Sequence, residues 1–326
     1  MSFLNRPVSA PFTPSGRNWL RSGIGVLVVA GLGACDSGLD PNPGDGSPPG
    51  LDVTTVFPID RGDEGTETPG KYKGLWLRLA DNGEPSVTPV GGVIGVVCLG
   101  MSNAKQECGD FIARITSHWI SDVSVEVRVM NCGRSGHAIE RWIDPEYDDA
   151  LWNICKAGLW LVGLREDQVR VIYHKAANQF TTLEGGALMP EYPHVGSDYD
   201  AFYDNLGAFA NRVPEFFPSA QAVYTSSRSY GGFALNPGRA EPLSYEEGHA
   251  LNSWLTDNPV VNGVWYGWGA YLWAPPCPTH ENNGGGVCYQ RQDYQDDGVH
   301  PTASGQGKIS FLMHFRLLEE GWYRSR

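Results

Sequence analysis

Val93-Ile94-Gly95-Val96-Val97-Cys98-Leu99 is a seven-residue run with no polar side chain, closed by Gly100. A run this short and this uniformly apolar is expected of a strand covered on both faces, because a strand with one wet face alternates instead. The segment after it, Ala104 to Trp119, changes period: Phe111, Ile112, Ile115 and Trp119 fall on one side of a helix. The same exchange recurs along the chain. Val123–Met130, Val169–His174, Ala222–Thr225 and Val264–Gly267 read as further strands, the first of them alternating and so nearer an edge. Tyr199–Phe217, Tyr245–Leu255 and Ser304–Leu318 read as helices, the middle one N-capped by Ser244 with Glu247 three residues on. Strands alternating with helices require right-handed crossovers, so the expected fold is α/β: a three-layer α/β/α sandwich around a mainly parallel five-stranded sheet. Ligands of such sheets sit outside the carboxyl ends of the strands.

The residues at those ends carry chemistry. Gly100-Met101-Ser102-Asn103-Ala104 follows the first run, placing a serine at a strand-to-helix turn with its N–H at a helix start. Asn131-Cys132-Gly133-Arg134-Ser135-Gly136 follows the second, and Lys175-Ala176-Ala177-Asn178 the third. Asp297-Gly298-Val299-His300-Pro301 stands before the last helix. Acyl transfer needs a nucleophile, a base, a group that orients the base, and donors aimed at the developing oxyanion. Ser102, His300 and Asp297 fill the first three roles; the N–H groups of Ser102 and Gly133 and the side-chain amide of Asn178 fill the fourth. His174 reads as a core histidine and Trp142 as packing, while Arg141, beside the glycine loop, is a candidate substrate contact.

These blocks, in this order over about residues 90 to 315, resemble the SGNH, or GDSL-type, hydrolase family. The resemblance implies a flavodoxin-like fold, Ser102 as nucleophile, Gly133 and Asn178 as oxyanion donors, Asp297 and His300 as the acid–base pair, and neither metal nor organic cofactor. The start Gly100-Met101-Ser102-Asn103 is closer to the Gly-Gln-Ser-Asn of carbohydrate acetylesterases in that superfamily than to Gly-Asp-Ser-Leu. Ala176-Ala177-Asn178-Gln179 departs from the usual Gly-x-Asn-Asp. The expected activity is therefore an exported serine esterase removing a small acyl group, acetyl first, from a carbohydrate, the partner being an acylated small molecule or polysaccharide. Two alternatives stay open: a lipid esterase on the same scaffold, and a surface-binding lipoprotein that keeps the fold without catalysis.

The N-terminus reads as an address. Arg17 and Arg21 precede the apolar run Ile24–Leu32, too short to span a bilayer comfortably, and Leu32-Gly33-Ala34-Cys35 resembles a bacterial lipobox. Residues 1–34 are thus expected to be a lipoprotein signal and Cys35 the lipidated first residue of an exported, membrane-anchored protein. Residues 35–70, rich in Asp, Gly, Pro, Ser and Thr, form an expected tether, and 71–326 the hydrolase domain. The formal charge is −13, which argues against nucleic-acid partners. Excluding Cys35, the six cysteines Cys98, Cys108, Cys132, Cys155, Cys277 and Cys288 invite disulfides in an exported chain. Cys277 and Cys288 bracket a Gly-rich loop and are expected to pair; the other four leave three connectivities open.

Overall fold

The computed structural model describes residues 60–61, 77–274, 276–277 and 288–325. Every described residue belongs to one compact unit. The expected signal, Cys35 and nearly all of the expected tether lie outside the described residues.

Two short strands, β1 (Asp60–Arg61) and β2 (Leu77–Arg78), pair antiparallel. The main elements follow as β3 (Ile94–Gly100), α1 (Ser102–Ile115), β4 (Val127–Asn131), α2 (Ile139–Ile143), α3 (Asp148–Gly158), β5 (Val169–Lys175), α4 (Asp198–Phe216), β6 (Ala222–Ser226), α5 (Leu243–Asp257), β7 (Val260–Val261), β8 (Val264–Trp268) and α6 (Ala303–Leu318). The sheet order is β4-β3-β5-β6-β8-β7. All neighbours are parallel except the short edge strand β7, which is antiparallel to β8. The sheet therefore has six strands among the described residues, one more than the apolar runs predict. With two residues and Val260 59 % exposed, β7 is too short and too wet to register as a pattern.

Alternation in β3 divides the core. Val97 and Leu99 join the cluster beneath α2 to α5, with Ile172, Val223 and Tyr266 from the neighbouring strands. Val96 and Cys98 join the cluster beneath α1 and α6, with Val171, Tyr173 and Tyr224. Both faces of the sheet are thus buried, as the unbroken apolar runs require. The sequential neighbours of β3 lie on opposite sides of it, β4 on one and β5 on the other, so the topological switch falls beside the strand that carries Ser102.

Two local expectations change. The second strand begins at Val127, not Val123, because Ser124 N–H donates to Tyr323 O and ties that stretch to the C-terminus, leaving Val125 85 % exposed. Ser244 is not a cap. The α5 helix starts two residues earlier than expected, at Leu243 after Pro242, with Ser244 buried inside it, and Glu247 turns its carboxylate inward to Asn178 N–H and Arg228. Trp268 and Trp273, in and just after β8, are core residues.

Among the described residues three disulfides are present: Cys98–Cys108, Cys132–Cys155 and Cys277–Cys288. The last is the pair expected from the sequence, and the structure resolves the other four. Among the described residues no helix is long and apolar enough to cross a membrane.

Candidate active site

Ser102 is the first residue of α1 and follows β3 through Met101. Its N–H is among the helix-start donors that have no intrahelical acceptor. Cys98 in β3 and Cys108 in α1 are disulfide-bonded on either side of this turn. Ser102 Oγ lies 2.7 Å from His300 Nε2, and His300 Nδ1 bonds Asp297 Oδ2. With Nδ1–H donated to the carboxylate, Nε2 is the nitrogen left to accept from the serine. Two hundred residues of chain separation thus close into a hydrogen-bonded Ser-His-Asp line.

The Asp-His half is built locally. Asp297 Oδ1 accepts from Val299 N–H at 2.9 Å and from His300 N–H at 3.0 Å, so one carboxylate oxygen shapes the turn while the other holds the ring. Gly298 makes this turn possible: it has φ +71°, and a Cβ there would meet Phe233 O at 1.7 Å. Partial burial pushes the Asp297 carboxyl up, but the hydrogen bonds from His300 and the Val299 and His300 N–H groups outweigh it and hold the carboxyl below its usual value. It is ionised across neutral pH.

Asn103, 7 % exposed, joins the two halves. Its Nδ2 donates to Val299 O at 2.9 Å, and its Oδ1 stands 3.4 Å from Ser102 Oγ. The sequence contains this residue in its serine block, but its reach to a residue 196 positions later follows only from the fold.

The pocket over Ser102 has a volume of about 390 Å³ and is lined by Met101, Ser102, Asn103, Gly136, Gln179, Leu235, Asn236, Arg239, Asp297, Val299 and His300. Ser102, Asp297 and His300 are therefore brought together as the sequence suggests. Gly133 and Asn178 are not brought to this pocket. The Gly133 N–H donates to its own neighbour's side chain, Asn131 Oδ1, at 3.1 Å, and a Cβ on Gly133 would meet the Lys105 backbone at 2.7 Å. This glycine lets the loop pack against α1. Asn178 is 1 % exposed; its Nδ2 donates to Asp198 Oδ1 at 3.0 Å and its Oδ1 accepts from Asn205 at 2.9 Å. Asn178 N–H donates to Glu247 and its carbonyl accepts from Arg228. Burial, against that Asn178 hydrogen bond, pushes Asp198 up to about 6.

The neighbours of these two residues face the pocket in their place. Gly136, in the same loop as Gly133, lines it, as does Gln179, whose N–H is fixed by Glu140 Oε1 at 2.7 Å. Gln179 Oε1 is buried without a hydrogen-bond partner among the described residues. The second glycine of the loop and the amide beside Asn178 were both visible as residues, but nothing local says which of two adjacent candidates turns inward. Arg141, the candidate substrate contact, lies over the Tyr147 and Phe180 rings and is not among the residues lining the pocket. Trp142 is fully buried, as its size suggests.

A larger and more open groove of about 880 Å³ runs between α4 and α5, with Tyr199, Asp200, Tyr203 and Asp257 on its walls. No histidine or cysteine lines it. Among the described residues no three His, Cys, Asp or Glu side chains stand together as a metal site.

No protein-family model matches this chain, and no curated protein does. Among solved structures it is similar to a mutant of Axe2, an acetyl-xylooligosaccharide esterase from Geobacillus Stearmophilus, with 11 % identity over 73 % of this chain and 100 % of that one, at a TM-score of 0.42. It is also similar to the psychrotrophic esterase EstA from Pseudoalteromonas sp., with 10 % identity over 69 % of this chain and 97 % of that one, at a TM-score of 0.38. Both likenesses are remote, and the chemistry has to be read from this chain's own residues.

Proposed function

We propose that the protein is a serine ester hydrolase of the SGNH type that removes small acyl groups, acetyl first, from carbohydrate. The observation that carries this reading is the hydrogen-bonded line from Ser102 Oγ through His300 to Asp297, opening on a pocket at the strand ends. Ser102 Oγ attacks the ester carbonyl while His300 Nε2 takes its proton; the C–O bond to the alcohol breaks as His300 returns that proton to the leaving oxygen. Water, deprotonated by His300, then attacks the acyl-enzyme and releases the acid with Ser102 restored. The oxyanion of each tetrahedral intermediate is assigned to the Ser102 N–H, with the Gly136 N–H and the Gln179 side-chain amide in the roles expected of Gly133 and Asn178. Asp297 stays ionised and steadies the imidazolium.

The acetyl and sugar assignments rest on the Gly-Met-Ser-Asn start and on an envelope location, and the latter on the lipobox-like Leu32-Gly33-Ala34-Cys35. Three disulfides fit an oxidising compartment. The test is hydrolysis of p-nitrophenyl acetate and octanoate by protein beginning after Cys35, with Ser102→Ala as control. Acetate hydrolysis at least 10³-fold above that of the variant is the expected result, in line with removal of a triad serine. A strong preference for octanoate moves the substrate to lipids, and equal rates in folded wild type and variant overturn the nucleophile.

A further inference from the structure

Two side chains lining the Ser102 pocket are charged, and only one of them is already committed. Asp297 gives both carboxylate oxygens to His300 and the turn N–H groups. Arg239 closes a 3-10 turn, Pro237–Arg239, that Asn236 Oδ1 fixes by accepting from Gly238 N–H at 2.9 Å. It is half-buried at the wall shared by this pocket and a small polar cavity behind it. The two other cations of that cavity are neutralised, Lys175 by Glu107 and Arg228 by Glu247. Arg239 has no carboxylate within ion-pair distance among the described residues; its one protein acceptor is Gln179 O, 3.1 Å from Nη2. A guanidinium carries five N–H donors in a planar fork suited to a carboxylate, and four of those of Arg239 have no protein acceptor among the described residues. Burial pushes the Arg239 pKa down, the mark of a cation partly stripped of water. A protein of net charge −13 repels acidic polymers, but that repulsion is screened beyond about 8 Å at physiological salt, so a cation beside the scissile bond decides.

We propose that Arg239 binds a carboxylate on the alcohol part of the substrate, so that the esters cleaved at Ser102 are acyl esters of acidic sugars, uronates, in preference to neutral ones. This rests on the esterase reading above. A small acyl group has no room for a charge, which places the anion on the sugar.

The test compares kcat/KM for a matched pair, O-acetylated methyl galacturonate glycoside and O-acetylated methyl galactoside, in wild type, Arg239→Gln and Arg239→Lys. The expected result is at least tenfold preference for the uronate in wild type, lost in Arg239→Gln mainly through KM and partly restored in Arg239→Lys. No preference in wild type, or one unchanged in Arg239→Gln, overturns the proposal. An O-acetylated sugar phosphate cleaved better than the uronate overturns the carboxylate assignment. Binding of the unacetylated uronate glycoside to Ser102→Ala protein, followed by NMR titration, separates this proposal from the esterase reading. Binding that weakens at least tenfold on adding Arg239→Gln supports the anion site even where Ser102 proves not to be the nucleophile. Absence of binding, with p-nitrophenyl acetate hydrolysis intact, overturns the anion site alone.

Discussion

His174 lies fully buried in β5, its ring stacked on Phe209 at 3.8 Å between centroids, and neither ring nitrogen has a partner among the described residues. Burial pushes its pKa down to about 3. A base whose folded value lies below its unfolded value contributes full stability above the unfolded value, about 6.5, and loses it as pH falls from there towards the folded value. Replacing it by a group of similar volume that cannot titrate, His174→Leu, is expected to remove that slope. Between pH 7 and pH 5 the wild type should lose about 2 kcal/mol more stability than the variant, read from urea unfolding at the two pH values. Asn103 acts differently, through its hold on the Val299 carbonyl next to His300. Asn103→Ala is expected to lower kcat on p-nitrophenyl acetate by roughly tenfold or more, with a smaller change in KM from its place in the pocket lining, because its main loss is the hold on Val299 O beside the base. A change confined to KM would place Asn103 in substrate binding instead.

The β3–turn–α1 element carries the nucleophile and is stapled on both sides of it by Cys98–Cys108, ten residues apart in sequence. Closing a loop of this length removes unfolded-chain entropy worth about 3 kcal/mol, so the Cys98→Ala/Cys108→Ala protein is expected to lose about that much stability in guanidinium unfolding. A loss well under 1 kcal/mol would show that packing alone holds the turn. At this scale the sequence was a good guide where an element is buried on both faces or strongly amphipathic. β3, β5, β6, β8, α4 and α6 match their expected ranges closely, because burial against the sheet keeps most of their inward positions apolar. It was a poor guide where a tertiary contact overrode the local pattern. Val123 and Val125 alternate like a strand, yet the C-terminal residues capture Ser124. Ser244 and Glu247 have the spacing of a capping box, yet Glu247 is drawn to Arg228, 2.7 Å away in the interior.

For the whole molecule, the proposed anchor predicts a partition. Full-length protein expressed in bacteria is expected to enter the detergent phase of a Triton X-114 separation, and Cys35→Ser protein the aqueous phase, since a diacylated N-terminus buries enough methylene groups for stable anchoring. Both proteins in the aqueous phase would overturn lipidation at Cys35. The layered α/β plan and the Ser, His and Asp of the candidate site were legible in the chain's local patterns. Period and apolar run length are local properties, and an Asp three residues before a His meets it within one turn. Which loop residues face the pocket was decided only by the tertiary structure. Asp198 and Asn205 of α4 with Glu247 of α5 pull Asn178 into the interior, which leaves Gln179 at the pocket wall. The approach of Gly133 to Lys105 likewise leaves Gly136 for the ligand side, and the turn at Pro237–Arg239 brings Arg239 against Gln179 O. Each of these choices is set by a buried polar or steric partner far away in sequence, and no pattern of neighbouring residues encodes such a partner.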